Sequence, residues 1–335
     1  MIKETELASR KRSLQPGERM SNAFSFDLIT PRTAVAIALC ASSVCAGVAT
    51  AQQGGAARAT TDWSVVDQAL GRKGATQPGN VMRYSFPRSD LQVSASGVQL
   101  KPAFALGSWV AFKKMGGANA VAMGDLVLTE QEIAPVMRTL QTGGVEQTAL
   151  HNHVLMESPR VMYMHIMAHG DAAKIAATIR SALGQTATPM EPPAVPSAAE
   201  VELDTAGVAR ALGVTGKVNG GVYQVSVPRR DRVTDHGMEV PPSMGVATAI
   251  NFQPTGGGKA AITGDFVMTA GEVNRVIRAL QTGGIQVTAL HSHMLTETPR
   301  LFFMHFWAND DAVKLAGTLR SALDQMAVMP TTVRR

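Results

Sequence analysis

The sequence has very little cysteine and few aromatic residues. Its two cysteines, Cys40 and Cys45, both lie near the N-terminus of the 335-residue chain. The rest of the chain therefore cannot form a disulfide bond or use a thiol as a nucleophile. Aromatic residues make up 5% of the chain, the net charge is +5, and no basic run is interleaved with aromatic side chains. A nucleic-acid partner is therefore not expected.

Signatures of several common enzyme classes are also missing. The chain has no Gly-x-Ser-x-Gly elbow, no phosphate-binding loop, no dinucleotide fingerprint and no His-Glu-x-x-His motif. The glycine-rich stretch PTGGGKAAITGD at residues 254–265 leads into a strand pattern, whereas a phosphate cradle opens a helix. The sequence therefore indicates no particular substrate.

A run of small apolar residues, TAVAIALCASSVCAGVATA, occupies residues 33–51 and follows several basic residues. It ends in an Ala-x-Ala pattern, which predicts a secretory signal over residues 1–51 that is cleaved after Ala51. An uncleaved anchor is the less favoured alternative, because the apolar core is short and rich in Ala and Ser. Neither cysteine follows the small residue that lipid attachment needs. We therefore predict export to the periplasm or the exterior, without stable membrane insertion after cleavage.

The chain contains a tandem duplication. Residues 97–186 align without gaps with residues 237–326, and close to half of the aligned positions are identical. The domain organisation predicted from this alignment is a signal peptide at 1–51, a flexible N-terminus at 52–64, repeat 1 at 65–186, a Pro/Ala-rich linker at 187–203, repeat 2 at 204–328 and a tail at 329–335. Each repeat has about 120 residues, which is an ordinary size for a domain.

The first half of each repeat shows strand patterns after a short helix at Val65–Leu70. In repeat 1 these strands are predicted at Val81–Phe86, Leu91–Val93, Val98–Leu100, Trp109–Phe112 and Ala120–Leu128. We expect the earlier strands to form an added sheet.

The second half of each repeat begins with a capping box, Thr129 and Glu132 in repeat 1, that opens an amphipathic helix. A strand at Val145–Leu155, an antiparallel partner at Arg160–Ala168 and a final helix capped by Asp171 follow. This order predicts an α+β fold with an antiparallel sheet, a split βαβ-like core and two main helices in each repeat.

Two segments share the same pattern of His, Glu and Arg residues. They are ALHNHVLMESPR at Ala149–Arg160 and ALHSHMLTETPR at Ala289–Arg300. Residues i and i+2 of a strand share a face about 6–7 Å apart, close enough for two imidazoles to reach one ion. The returning strand adds a third histidine, and the glutamate offers an oxygen. The predicted metal ligands are His151, His153, Glu157 and His165 in repeat 1, and His291, His293, Glu297 and His305 in repeat 2.

A set of three imidazoles and one carboxylate suits Zn, Mn, Fe or Ni. Copper is less favoured, because the methionine-rich run VMYMHIM is reduced to Met304-His305 in the second copy. The alternative is that these histidines are hydrogen-bonded packing residues and that Glu157 forms a salt bridge with Arg160.

Other polar residues of the repeated segments also have two interpretations. Arg160 and Arg300 are candidates for binding a carboxylate or phosphate ligand bidentately, although a salt bridge at the rim is favoured. Asp125 and Asp265 are candidates for orienting an imidazole, although turn residues of this kind are common.

The repeated TALHNHVLMESPRVMYMHIMAHGD, together with ALGRKG, VPRRD and MGDLVL, resembles the LppY/LpqO family of bacterial exported proteins, a tandem domain of unknown function. The resemblance implies export and duplication but no activity. The best-known members are lipoproteins, and this chain lacks a cysteine in the context for lipid attachment.

Three functions remain open at this stage. The first is a metal-dependent enzyme of hydrolase or oxygenase type, with an open coordination position. The second is an exported protein that binds a metal or a small anionic ligand, either at the two hairpins or between the repeats. The third is a structural envelope protein with packing histidines.

Overall fold

The computed structural model describes residues 62–191 and 201–330. The predicted signal peptide, both cysteines, most of the predicted N-terminal segment, and parts of the linker and the tail lie outside the described residues. In the two described ranges, no helix is both long enough and apolar enough to span a membrane.

The elements of repeat 1 are the helices α1 (Ser64–Leu70), α2 (Pro102–Ala105), α3 (Glu130–Thr142) and α4 (Ala172–Leu183), and the strands β1 (Ala75–Gln77), β2 (Val81–Pro87), β3 (Ser94–Ala95), β4 (Val98–Gln99), β5 (Gly107–Gly116), β6 (Asn119–Thr129), β7 (Glu146–His151), β8 (Glu157–Ser158) and β9 (Val161–Asp171). The elements of repeat 2 are the helices α5 (Thr205–Leu212), α6 (Ala270–Thr282) and α7 (Ala312–Leu323), a 3-10 turn at Pro242–Met244, and the strands β10 (Lys217–Asn219), β11 (Val222–Pro228), β12 (Thr234–Asp235), β13 (Met238–Glu239), β14 (Ala247–Gly256), β15 (Lys259–Met268), β16 (Gln286–His291) and β17 (Phe302–Asp311).

Each repeat builds one six-stranded antiparallel sheet, in the order β1-β2-β5-β6-β9-β7 in repeat 1 and β10-β11-β14-β15-β17-β16 in repeat 2. Strand β9 lies between β6 and β7 and pairs antiparallel with both. Helix α3 connects β6 to β7, and α4 follows β9. The predicted α+β fold with antiparallel sheets in two tandem domains is confirmed.

The prediction of an added sheet made of the earlier strands is wrong for β2 and β5. Both strands join the main sheet, because β5 pairs with β2 on one side and with β6 on the other. Only β3 and β4 lie apart, in a three-stranded sheet with β8. The predicted strand at Leu91–Val93 is also absent, since these residues precede β3 without joining a ladder.

Local signals account for the helix boundaries. Thr129 and Glu132 form the reciprocal capping box of α3, which satisfies two backbone donors that a helix start leaves free. The Asp171 side chain accepts a hydrogen bond from the backbone N–H of Lys174 at the start of α4. Gly71 ends α1 in the left-handed conformation, which costs glycine little because it has no Cβ.

The two faces of each sheet have different partners. On β6 the even-numbered residues, such as Ala122 and Leu126, join a core with the helices of their own repeat. The odd-numbered residues, such as Val121 and Met123, pack against residues of repeat 2, including Phe303. Because both faces are covered, β6 is buried almost along its whole length. Odd-numbered positions of β6 and β9 therefore face the other repeat.

Candidate metal centre

The repeated histidines lie where the two sheets meet. In β9, His165 follows Tyr163 by two residues and pairs with Asp125 of β6. His151, the last residue of β7, pairs with Tyr163, so His151, Tyr163 and His165 share the face that points toward repeat 2. His291 and His305 occupy the same positions in repeat 2, on β16 and β17.

The strand predicted at Val145–Leu155 ends early, at His151, so His153 lies in the bend that follows. Contacts with the other repeat hold this bend. The carbonyl oxygen of His153 accepts a hydrogen bond of 2.6 Å from the Thr288 hydroxyl. Reciprocally, the carbonyl oxygen of His293 accepts one of 2.7 Å from the Thr148 hydroxyl. Both threonines were missed as site residues, although each stands in the repeated Thr-Ala-Leu-His spelling.

The interface histidine cluster consists of His151, His153, His165, His291, His293 and His305. The shortest separations between ring centroids cross from one repeat to the other, 3.7 Å for His151 and His291, 3.9 Å for His153 and His305, and 3.8 Å for His165 and His293. Within one repeat, His151 and His153 are 5.2 Å apart and His151 and His165 are 4.9 Å apart. All six imidazoles therefore form one group around the repeat interface.

Most ring nitrogens of this cluster are buried and have no hydrogen-bond partner. These atoms are both nitrogens of His151 and His291, and Nε2 of His153, His165, His293 and His305. Buried polar atoms in proteins are nearly always paired, and the exceptions call for a bound group or a special role. This concentration of free imidazole nitrogens is the strongest chemical feature of the described residues.

Backbone carbonyls fix three of the rings. His305 Nδ1 donates to Gly264 O at 2.6 Å and His293 Nδ1 donates to Gly245 O at 3.0 Å, and His165 has the equivalent backbone hydrogen bond to Gly124. A carbonyl oxygen only accepts, so Nδ1 carries the proton and Nε2 keeps its lone pair. A metal-binding histidine is typically oriented in this way.

The glycines that supply two of these carbonyls stand where a side chain does not fit. A Cβ atom at Gly124 would clash with the carbonyl oxygen of Trp109, and one at Gly264 with that of Ala249. Steric exclusion of a Cβ atom therefore explains the glycine of the Gly-Asp pair in both repeats. The aspartate of each pair points into the interface.

Asp125 and Asp265 lie against the cluster. Asp125 Oδ2 is 3.4 Å from His153 Nε2, and Asp265 Oδ2 is 2.9 Å from His293 Nε2. Neither Nε2 makes a hydrogen bond of acceptable geometry. Two ligand atoms that each lie about 2.0–2.1 Å from one ion are about 2.9–3.4 Å apart, depending on the coordination angle. Both separations therefore fit ligands of a common ion.

Burial favours the neutral form of five of the six imidazoles. Removal from water disfavours the imidazolium form and lowers the pKa of His165 and of His293 to about 3. Burial, reinforced by neighbouring imidazoles, also lowers the pKa of His151, His153 and His291. Neutral imidazole is the form that binds metal ions.

Burial acts on the carboxyl group beside them in the opposite direction, and raises the pKa of Asp265 to about 7. A cation at the centre would favour the carboxylate form instead.

The glutamates of the repeated segments serve the hairpin backbone. Glu157 Oε1 accepts a hydrogen bond from Val161 N, and Glu297 Oε1 accepts one from Leu301 N. Among the described residues, neither glutamate belongs to a group of His and acidic side chains close enough to share one ion. The structure thus brings the six predicted histidines together and places the two predicted glutamates elsewhere.

The two arginines of the repeated segments also lie outside the cluster. Arg160 is 69% exposed and its Nη1 is 3.9 Å from Glu130 Oε1. Arg300 donates to Glu297 at 3.1 Å and to the carbonyl oxygen of Met294 at 3.0 Å. Each arginine therefore lies beside a glutamate, although the partner of Arg160 is Glu130 and not Glu157 as in the predicted salt bridge.

Aromatic rings cover the second histidine of each motif. Tyr163 stacks on His153 with centroids 3.3 Å apart, and Phe303 stacks on His293 at 3.5 Å. These rings keep water from one side of each imidazole. Sequence reasoning treated positions 163 and 303 only as strand residues, because stacking on a residue of the preceding bend depends on the hairpin geometry.

Comparisons with known proteins leave the function open. A comparison with curated proteins found no match. Among solved structures, a trimeric bacterial microcompartment shell protein PduB is 14% identical with a TM-score of 0.20, over 77% of this chain and 96% of that chain. EtuB from Clostridium kluyveri is 12% identical with a TM-score of 0.17, over 75% and 90%. Similarities this low carry no argument about the fold.

A family model described as Domain of Unknown Function (DUF1259) matches residues 64–185 and 206–325. The two matched segments correspond to the two sheets and their helices, and together they cover most of the chain. This match confirms the predicted tandem domain of unknown function. The chain therefore belongs to the DUF1259 family, with one copy of the domain in each repeat.

Proposed function

We propose that the protein binds divalent transition-metal ions in the interface histidine cluster, and that these ions hold its two repeats together. The observation that carries the proposal is the set of buried imidazole nitrogens without partners. Each such atom costs roughly 1–3 kcal/mol if it stays unpaired. Metal coordination would satisfy several of them at once, whereas packing alone would leave them unpaired.

The geometry favours two ligand sets that each cross the interface. His151, His153 and His305 of both repeats have ligand atoms within reach of one ion, and so do Asp265, His291 and His293 of repeat 2. The same holds for His151, His165 and His291, which link the two groups. Asp125 lies close to His153 and joins the first set, and His165 lies close to His293 and joins the second. With these additions the two sets correspond to each other under the symmetry of the repeats. The first set is then His151, His153, His305 and Asp125, and the second is His291, His293, His165 and Asp265.

Three imidazoles and one carboxylate suit Zn, Fe, Mn or Ni. Copper is less favoured for a reason that concerns the methionines. Met164 and Met304 belong to the helix-side cores of their own repeats, so their thioethers face away from the cluster. The methionines of the Met-His pairs therefore offer the cluster no sulfur ligand.

Binding is favoured over catalysis. A catalytic ion keeps an open coordination position, whereas a closed set of four protein ligands is typical of a structural site. His165 is 3% exposed and His305 is 4% exposed, and stacked aromatic rings cover His153 and His293. The cluster is therefore enclosed by both repeats, which suits retention of an ion more than turnover of a substrate.

Metal content tests the proposal. Residues 52–335, purified without a histidine tag, are expected to hold two more metal equivalents by elemental mass spectrometry than a variant with the six cluster histidines changed to Ala. Circular dichroism verifies that the variant is folded, and His153→Gln supplies a milder change. As a matched control, His169→Asn/His236→Ser removes two histidines outside the cluster and retains both ions of the centre. Equal metal content in the wild type and both cluster variants would refute the proposal.

We propose further that the protein is exported and acts in the periplasm or outside the cell. The apolar run before Ala51 supports this, as does the lack of cysteine in residues 52–335. Expression of the full chain in a bacterial host should yield an exported form that starts at Gln52, and N-terminal sequencing of the periplasmic fraction or medium measures it. A chain that keeps its first residues and stays in the cytoplasm would contradict the proposal.

Two finer assignments fit this proposal. We interpret β6, α3 and β7, with β9 between the two strands, as the split βαβ-like core of the repeat. The duplicated histidine segment and the signal-like N-terminus are also what membership in the LppY/LpqO group of exported proteins implies. Neither assignment adds an activity to the metal-binding role.

A further inference from the structure

A second group of metal-binding side chains lies apart from the interface histidine cluster. It consists of His169 of β9 in repeat 1, and Asp235 and His236 of the β12–β13 hairpin in repeat 2. Asp235 Oδ2 is 2.8 Å from His236 Nδ1 and 3.7 Å from His169 Nε2. One ligand atom from each of the three residues lies within 4.8 Å of the other two. The group therefore joins the two repeats a second time.

The carboxylate of this group is fixed and the imidazoles are accessible. The Asp235 side chain is fully buried, and its other oxygen accepts a hydrogen bond of 2.7 Å from the Thr296 hydroxyl. The His169 side chain is 27% exposed and that of His236 is 60% exposed. A metal ion from solution can therefore reach two accessible imidazole nitrogens and one carboxylate oxygen that is already held in place.

The duplication supplies an internal comparison. The positions equivalent to Asp235, His236 and His169 hold Ala95, Ser96 and Asn309. Ser96 and Asn309 line one cleft, so the same docking of hairpin against strand exists on the other side of the molecule with serine and asparagine in place of the two histidines. All three ligand-bearing residues therefore occur together at only one of two equivalent places.

A fourth difference between the two equivalent places also favours a metal site at His169, Asp235 and His236. Glu146 attracts both His169 and His236 electrostatically, and its equivalent is the uncharged Gln286, which lines the cleft of Ser96 and Asn309 together with Asp310 and Lys314. Two carboxylates therefore stand beside the two imidazoles on one side of the molecule. A divalent cation is the ligand whose charge this arrangement balances.

The shape of the hairpin does not explain these residues. His236 has a positive φ of 47°, and Ser96 has the same conformation with a φ of 48°. The turn thus forms equally well with serine. A hydrogen bond between Asp235 and His236 alone would also leave the third imidazole, on the other repeat, without a reason.

We propose that His169, Asp235 and His236 bind one Zn²⁺ or Ni²⁺ ion that fastens strand β9 of repeat 1 to the β12–β13 hairpin of repeat 2. Two imidazole nitrogens and one carboxylate oxygen suit these ions, and the solvent side leaves room for water as the remaining ligand. This clamp site differs from the interface histidine cluster in its exposure, and its ion exchanges more readily.

Calorimetric titration of metal-free residues 52–335 with Zn²⁺ and with Ni²⁺ tests the clamp. The variant His169→Asn/His236→Ser carries the residues that the other repeat already has at these positions, so it is expected to fold. It should bind one equivalent fewer than the wild type, and the metal-induced rise in the melting temperature should be smaller. Equal stoichiometry and equal shifts in the two proteins would overturn the proposal.

The result is separable from that of the central site. If the interface histidine cluster binds no metal, the wild type still binds one equivalent and the double variant binds none. If the cluster binds two ions and the clamp none, both proteins bind two.

Discussion

The metal-free protein should lose stability steeply as the pH falls below about 6.5, the ordinary pKa of histidine in an unfolded chain. The residues responsible are His151, His153, His165, His291 and His293, whose pKa values burial lowers in the folded state. Below pH 6.5 the unfolded chain takes up these protons and the folded chain does not. Unfolding is therefore favoured by acid, and stability rises again with increasing pH.

Two carboxyl groups oppose this trend. Burial raises the pKa of Asp265 and of Glu157 to about 7. The folded protein therefore holds two protons that the unfolded chain releases above about pH 4. With five protons taken up on unfolding and two released, three remain. Each contributes roughly 1.4 kcal/mol per pH unit, so the free energy of unfolding falls by roughly 4 kcal/mol per unit at about pH 5.

Urea unfolding followed by circular dichroism at pH 7, 6 and 5, after treatment with a chelator, measures this effect. The clamp variant His169→Asn/His236→Ser should show the same steep loss, because the five cluster histidines remain. Metal-loaded protein should resist acid better, since an ion that binds only the folded state stabilises it by about 4 kcal/mol at a concentration 1,000 times its Kd. A free energy of unfolding that stays level from pH 7 to pH 5 would show that the cluster imidazoles accept protons in the folded protein.

Helix boundaries could be predicted from the sequence because their signals are local. The hydrogen bonds of the Thr129 capping box and of the Asp171 cap span three residues, and both side chains are legible in the sequence. The end of β7 could not be predicted in this way. Asn152 donates to the carbonyl oxygen of Thr288 in the other repeat at 3.1 Å, a contact that no local pattern reveals.

The residues of the candidate site could be predicted from the sequence, but their arrangement could not. The duplication identified the six histidines and the two aspartates, since each recurs at its equivalent position. It did not reveal that ligands from different repeats lie closest together. That pairing follows from the packing of one sheet on the other, where Met123 and Met167 meet Val267 and Phe303. Such apolar faces look alike in sequence and do not specify which residues meet.

The glutamates show the limit of motif spacing. His-x-His followed by Glu four residues later fits a single-repeat metal site, and the sequence supports that interpretation. In the folded hairpin, however, Glu297 is 4% exposed and bonds Leu301 N and Arg300. The glutamate accepts a hydrogen bond from a backbone amide at a tight turn. This role explains its presence in the motif as well as metal binding does.

Removing two histidines from one cross-repeat set should release one ion, whereas removing one histidine from each set should release both ions. The variant His153→Ala/His305→Ala removes two of the four ligands of the first set and leaves the second set complete. His153→Ala/His165→Ala takes one ligand from each set. Loss of a group that only orients a ligand costs 10–100-fold in affinity, and loss of a ligand itself should cost more, so an incomplete set releases its ion on dialysis.

The two double variants are matched, because each removes two imidazoles of the same cluster and opens a similar volume. If each repeat instead bound its own ion, the outcomes would be exchanged. His153→Ala/His165→Ala would then retain one ion, and His153→Ala/His305→Ala would lose both. Elemental mass spectrometry of the dialysed variants, with protein concentration from amino-acid analysis, distinguishes the two arrangements. Retention of one ion by the cross-repeat pair alone would establish that the metal sites exist only when the two repeats are docked.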